Sequence, residues 1–186
     1  MSSFFETFSL DNCQTILTRI LDTSNFTVKS CEFCPLDERK GFLGEHAFLK
    51  ILYQDENGES KLAKLFAKGV PKESCNTFII ESGLFLKEAM FYQELIPKML
   101  ENGVKTINDC IPACYFVSEN EYLIFEDLMQ KGYRTENHFK SLSLDCVKAG
   151  LNALAKLHSS GIIFEEKIRT RTWKWVPTQR IISEDV

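Results

Sequence analysis

The chain lacks several features that would place it at once. No stretch approaches the roughly 18 uninterrupted apolar residues of a membrane-spanning helix. Its longest apolar runs, such as Tyr122 to Phe125, are strand-sized. The opening MSSFFETFSLDNC has no positive charge ahead of an apolar run, so it does not read as a secretory leader. Positive charge is not in excess: 22 Lys and Arg stand against 26 Asp and Glu, for a net charge of -4. A nucleic-acid binder held by counterion release needs a basic footprint that this balance does not supply. There is no Gly-x-Ser-x-Gly, no Gly-x-x-x-x-Gly-Lys, no internal repeat and no low-complexity segment. Cysteine is not scarce. The seven residues (Cys13, Cys31, Cys34, Cys75, Cys110, Cys114 and Cys146) are odd in number, and without a leader they read as reduced thiols of a cytoplasmic protein. What remains is an ordinary globular composition: 186 residues, 44% hydrophobic, 26% charged, with 15 Phe to fill a core.

Hydropathy periods divide the chain. Ser9-Leu10-Asp11-Asn12 is a helix cap for Cys13 to Leu21, with Leu17, Ile20 and Leu21 on one face. Asp22 to Asn25 is a break, and Asp37 to Gly41 a charged turn. His46 to Tyr53 alternates with period two, as does Lys61 to Lys68, and Asn57-Gly58 between them is a strong hairpin signal. Thr77 to Leu100 is the longest helix expected, with Ile80, Leu84, Phe91 and Leu95 as its stripe and Pro97 ending or kinking it. Ile111 to Val117 and Tyr122 to Asp127 are two further strands. Leu128 to Leu142 is a polar connector. Ser143 caps a last helix to Ser159, with Val147, Leu151, Leu154 and His158 on one face and Gly161 as its stop. Strands, long helix, strands, connector and helix make an α+β arrangement with a mostly antiparallel sheet.

Chemistry concentrates around Lys68. It ends an apolar strand just after a glycine-bearing hairpin, where an ammonium can reach phosphate oxygens. Such a lysine needs a carboxylate to hold it, and Glu88, 20 residues later in the long helix, can supply one. A strand lysine paired with a helix glutamate under a glycine turn is the nucleotide clamp of kinase small lobes; the bland alternative is two solvated charges. Tyr122 to Leu128 is an apolar strand that stops at Glu126 and Asp127. In a kinase-like fold this is the hinge, whose free backbone groups pair with an adenine edge.

These segments resemble the ecdysteroid kinase-like proteins, a choline kinase-like (CHK) group. Phe85 to Pro97 looks like the family's helix motif, and Pro112-Ala113-Cys114-Tyr115-Phe116 resembles the strand after it. Leu123 to Leu128 with Lys131-Gly132-Tyr133 resembles its hinge and connector, and Leu154 to Ser160 its first large-lobe helix. Gly41-Phe42-Leu43-Gly44-Glu45-His46 is similar to its glycine turn, with His46 where the family usually has Asn. The resemblance covers about residues 38 to 165. It implies an ATP- and magnesium-dependent phosphotransferase acting on the hydroxyl of a small molecule such as an ecdysteroid or a choline-like alcohol. By carry-over Lys68 contacts the ATP phosphates and Glu88 orients it. The backbone of Glu126, Asp127 and Leu128 meets the adenine. Gly41 and Gly44 let the turn approach phosphate without Cβ interference.

The expected organisation is an N-terminal helical arm over 1–37, a protein kinase-like small lobe over 38–128, a connector and first large-lobe helix over 129–165, and a divergent tail over 166–186. There is no His-Gly-Asp or His-Arg-Asp, and 25 residues follow Gly161. The expectation is an N-terminal fragment, inactive alone, without catalytic residues or magnesium ligands of its own. The alternative is a non-catalytic nucleotide- or partner-binding module of pseudokinase type. An unrelated α+β domain is the third reading, and it requires that Lys68 and Glu88 do not meet. Nucleotide and a small-molecule alcohol are the expected partners, without nucleic acid or membrane. Self-association is expected through the apolar side of the 143–159 helix. Cys31-Glu32-Phe33-Cys34 has redox-pair or zinc half-site spacing, but no second cysteine pair completes a metal site, so the thiols are read as free. His158 is read as a packed histidine. Lys167, Arg169, Arg171 and Lys174 with Trp173 and Trp175 are read as a solvated tail rather than a nucleic-acid or membrane patch.

Overall fold

The computed structural model describes residues 8–36, 44–70, 81–118, 121–137 and 139–172. It divides into two compact units, residues 1–94 with 112–135, and residues 95–111 with 136–186.

The first unit is built on a five-stranded antiparallel sheet in the order β1-β2-β3-β5-β4. Its strands are β1 (Thr27–Pro35), β2 (Glu45–Gln54), β3 (Ser60–Gly69), β4 (Cys114–Ser118) and β5 (Tyr122–Glu126). The β2–β3 hairpin closes as its sequence predicts. Gly58 takes φ +81, and Asp55 Oδ1 accepts the N–H groups of Asn57 and Glu59 at 3.0 Å each. A left-handed residue at that point is what a short hairpin loop needs and what glycine supplies without strain. No strand is expected before His46, yet Thr27–Pro35 forms the edge strand. Its alternation is broken by a bulge between Val28 and Ser30, so period two does not show in the sequence.

Two apolar layers cover the two faces of the sheet. Ala47, Leu49 and Ile51 of β2, Leu65 and Ala67 of β3, and Tyr122 and Ile124 of β5 share one face. Over it lies α1 (Leu10–Leu21), which buries Cys13, Ile16 and Leu17 completely. Each such aliphatic side chain contributes about 1.5–3 kcal/mol by leaving water. Ser9 caps α1 in a reciprocal box with Asn12, so the helix starts at Leu10, earlier than expected. Asn12 Nδ2 donates to Tyr122 Oη at 3.3 Å and Arg19 donates to the Tyr115 carbonyl at 2.8 Å. On the opposite face Leu123 and Phe125 pack with Val70 under Phe85 and Ala89 of α2 (Leu84–Met90).

The long helix expected over 77–100 differs in detail. Residues 77–80 lie outside the described ones. Gly83 adopts φ +61 as the N-cap of α2, a π-helical turn follows over Phe91–Leu95, and α3 (Ile96–Glu101) starts with Pro97 in its first turn. Proline has no N–H for the α-helical ladder, and here a single π-helical turn precedes it. Leu84, placed on the buried stripe, is 40% exposed, and Phe85 and Ala89 are buried instead.

In the second unit α4 (Leu144–Thr172) runs through Gly161 rather than stopping there. A mid-helix glycine costs only about 1 kcal/mol. Contacts on both sides of it hold the helix: Ser160 meets the Thr106 hydroxyl at 2.8 Å, Phe164 is buried, and Lys167 Nζ donates to the Asn102 carbonyl at 2.8 Å. The stripe Val147-Leu151-Leu154-His158 is exposed, so His158 is not a packed histidine. Ser160 and Phe164 are the buried positions. Residues 166–172 of the expected tail are helical, while Trp173, Lys174 and Trp175 lie outside the described residues.

Candidate functional site

Register builds the site. Strand partners point to the same face, so the pairs His46↔Lys68, Phe48↔Phe66 and Lys50↔Lys64 set six side chains side by side. Phe66↔Phe125 and Lys68↔Leu123 carry that face onto β5. This is the face that α2 covers in part.

Lys68 Nζ and Glu88 Oε2 are 2.5 Å apart, with the two side chains 26% and 29% exposed. The structure therefore brings together the two residues that the sequence pairs across 20 positions. A half-buried ammonium fixed by one carboxylate keeps donors for an anion. Gly44 sits at the same end of the sheet. A Cβ added there would lie 3.4 Å from Lys68 Cε, 3.4 Å from the Gly69 carbonyl oxygen and 3.5 Å from His46 Nε2, so the missing side chain leaves room beside the lysine. Gly41 lies outside the described residues.

Sequence reading does not assign His46, Phe48 or Phe66 to the site, though all three lie on this face. His46 stacks on Phe66 with ring centroids 5.4 Å apart, and Phe66 meets Phe48 edge-on at 6.3 Å. The alternation of β2 and β3 held the signal: 46 and 48 share the parity of the strand face that carries 66 and 68. Burial lowers the pKa of His46 below the ordinary imidazole range, the Lys68 ammonium lowers it further, and Glu88 opposes both.

At the other end of the face the chain leaves β5. Glu126 donates its N–H to the Ala113 carbonyl at 2.9 Å, and its Oε1 accepts the Ala113 N–H at 2.9 Å. Its second carboxylate oxygen pairs with Lys131. Asp127 is buried, with Oδ2 3.2 Å from Lys64 Nζ. The carbonyl of Asp127 accepts Gln130 N–H at 3.0 Å, and that of Leu128 accepts Lys131 and Tyr133 N–H, both at 3.1 Å. Both lone pairs of the Leu128 carbonyl are thus used. Among the described residues the Leu128 N–H has no hydrogen-bond partner.

Cys31 and Cys34 do not form a joint site, and Cys75 lies outside the described residues. Cys31 pairs with Ile51 and Cys34 with Phe48, so they face opposite sides of β1. An odd separation on a strand forbids the joint ligation that their spacing resembles. Cys31 packs instead against the apolar layer that contains Cys13, whose thiol is held protonated by burial first and by Cys31 second. Burial pushes the Cys114 thiol up to about 12. Among the described residues no three His, Cys, Asp or Glu side chains converge on one point. No described helix is long and apolar enough to cross a membrane.

Neither the curated proteins nor the solved structures contain a match to this chain. The model of the ecdysteroid kinase-like family matches residues 41–180. That span holds the sheet from β2 onward, the Lys68–Glu88 pair and the turn after β5, and it exceeds half of the chain. The chain belongs to the ecdysteroid kinase-like family.

Proposed function

We propose that the face formed by Gly44, His46, Phe48, Phe66, Lys68 and Glu88 is the nucleotide-binding half of an ATP-dependent phosphotransferase whose acceptor is the hydroxyl of a small molecule, an ecdysteroid or a choline-like alcohol. The observation that carries the reading is the Lys68–Glu88 ion pair. Lys68 neutralises phosphate charge, and Glu88 fixes its rotamer so that no ordering remains to be done on binding. Gly44 leaves backbone clearance beside Lys68. Phe66 and Phe48 give a base an aromatic surface to lie on. From Lys68 to Lys64 the strand advances roughly 13 Å at about 3.3 Å per residue, a span fit for a nucleoside triphosphate. The Leu128 N–H, at the far end, is the donor that meets the base edge. ATP supplies the γ-phosphoryl group; the residues described here bind and orient it, and none of them acts as a base toward the acceptor.

Isothermal titration of the purified chain with ATP tests this. Lys68→Ala is expected to weaken binding by about tenfold or more, the usual worth of a charge-assisted contact. Unchanged affinity removes Lys68 from the site.

A second reading is a nucleotide- or partner-binding module without turnover. ATP-dependent phosphorylation of a panel of steroids and choline-like alcohols by this polypeptide separates the two, and no turnover is expected from it alone. In the second reading Leu144, Leu151 and Leu154, exposed on α4, drive self-association, and the double variant Leu151→Lys/Leu154→Lys runs as a smaller species in solution.

A further inference from the structure

The carboxylate of Asp127 is engaged more fully than any other described on this face. Its side chain is 2% exposed. Oδ1 accepts the Met129 N–H at 3.0 Å. Oδ2 takes Lys64 Nζ at 3.2 Å and Gln130 Nε2 at 3.3 Å. The same Gln130 amide donates to the Lys64 carbonyl at 2.7 Å. Lys64 Nζ also lies 3.8 Å above the Phe48 ring centroid. The result is a closed circuit: the β3 main chain, the Gln130 amide, the buried carboxylate and the Lys64 ammonium, back to β3.

A carboxylate taken out of water is costly unless its lone pairs are filled. Here a cation, a main-chain N–H and a side-chain amide fill them. Removing one partner leaves the rest buried and short of a donor, so the arrangement is all-or-none. It also spans three pieces of the nucleotide face: β3 through Lys64, β2 through the ring of Phe48, and the turn 127–133. That turn carries the Leu128 N–H. Glu126, beside it, holds the β4 side of the same exit through Ala113.

We propose that Lys64 and Asp127 are a positioning pair. Their ion pair holds the turn after β5 and the Phe48 ring in one arrangement, and so presents the base-recognising end of the site. Neither side chain contacts the nucleotide. This gives the Asp127 side chain a role beside the main-chain contact that the family resemblance implies for it, and it rests on the nucleotide reading above only for its consequence in binding.

Two readouts test it. The first needs no ligand: amide hydrogen exchange of Met129–Tyr133 in the full chain. Asp127→Asn and Lys64→Met are expected to speed exchange there about tenfold, with β2 amides unchanged, and Lys64→Arg to restore the wild-type rates. The second compares ATP with inorganic tripolyphosphate. Lys64→Met is expected to weaken ATP about tenfold and to leave tripolyphosphate unchanged, because the phosphate end lies at Lys68. Unchanged exchange in both variants overturns the pin. Equal loss of ATP and tripolyphosphate in Lys64→Met makes Lys64 a phosphate ligand and overturns the positioning role. A wild-type chain that binds neither compound ends the nucleotide reading and the presentation role with it, while the exchange rates still decide whether the pair holds the turn. Should Asp127→Asn fail to fold, Lys64→Met, at a half-exposed position, carries both readouts.

Discussion

His46 stands directly opposite Lys68 across the β2–β3 ladder, with Glu88 near enough to influence both charges. The imidazole is kept neutral by its burial and by the lysine it faces, and the carboxylate offsets part of that effect.

This sets a pH dependence. The depressed pKa means that the folded protein binds the His46 proton less readily than the unfolded chain does, where the pKa is about 6.5. Above that value the imidazole is neutral in both states and costs nothing. As pH falls below it the unfolded chain takes the proton first and stability declines, until the depressed folded value is passed. Urea midpoints measured from about pH 8 to about pH 5 are expected to fall on the acid side, and His46→Asn to flatten that limb. A midpoint profile of equal slope in the variant removes His46 as its source. ATP titrations in two buffers of different ionisation enthalpy should also show proton uptake by the wild type that His46→Asn abolishes, since a bound polyphosphate favours the imidazolium.

Glu88→Gln is expected to separate binding from stability. The ion pair is about a quarter exposed at each side chain, and such pairs contribute less than about 1 kcal/mol to folding. The neutral amide holds the ammonium less firmly, so ATP affinity should drop several-fold while the urea midpoint barely moves. A large stability loss with intact binding would make the pair structural.

Gly44→Ala tests the clearance beside Lys68. A Cβ there meets its neighbours at ordinary contact distance, so the variant should fold with a stability change within about 1 kcal/mol. The methyl group occupies the space beside Lys68 Cε, and ATP affinity is expected to fall. Binding equal to the wild type moves the phosphates away from Gly44.

Leu17→Ala tests whether α1 belongs to the core of the sheet. Leu17 is completely buried against it, and truncation of such a leucine costs about 2–5 kcal/mol. A loss below about 1 kcal/mol by chemical denaturation would show that α1 is an appendage.

The parts legible in advance were those with a strong local signal. Asn57-Gly58 between two alternating runs gave the hairpin, and strict alternation gave β2 and β3 with the Lys68 face assigned correctly. Thr27–Pro35 was not legible because its bulge erases the period and one side of an edge strand faces water. Gly161 misled because a local stop signal worth about 1 kcal/mol was outweighed by the contacts of Ser160, Phe164 and Lys167. Leu84 misled because the helix starts only after the left-handed N-cap Gly83, and its buried side is set by Phe85 and Ala89.

By itself the sequence determined the alternating strands, the turn chemistry at Gly58, the family and the identity of the two charges, since all of these follow from local periods or short patterns. Only the tertiary structure decided that Lys68 and Glu88 touch, that Cys31 faces Cys13 rather than Cys34, that His46 and Phe66 stack, and that Asp127 is buried under Lys64. Contacts between residues far apart in the chain depend on strand register and on the side each strand turns to its neighbour, and a shift of one residue in register would exchange every one of those partners.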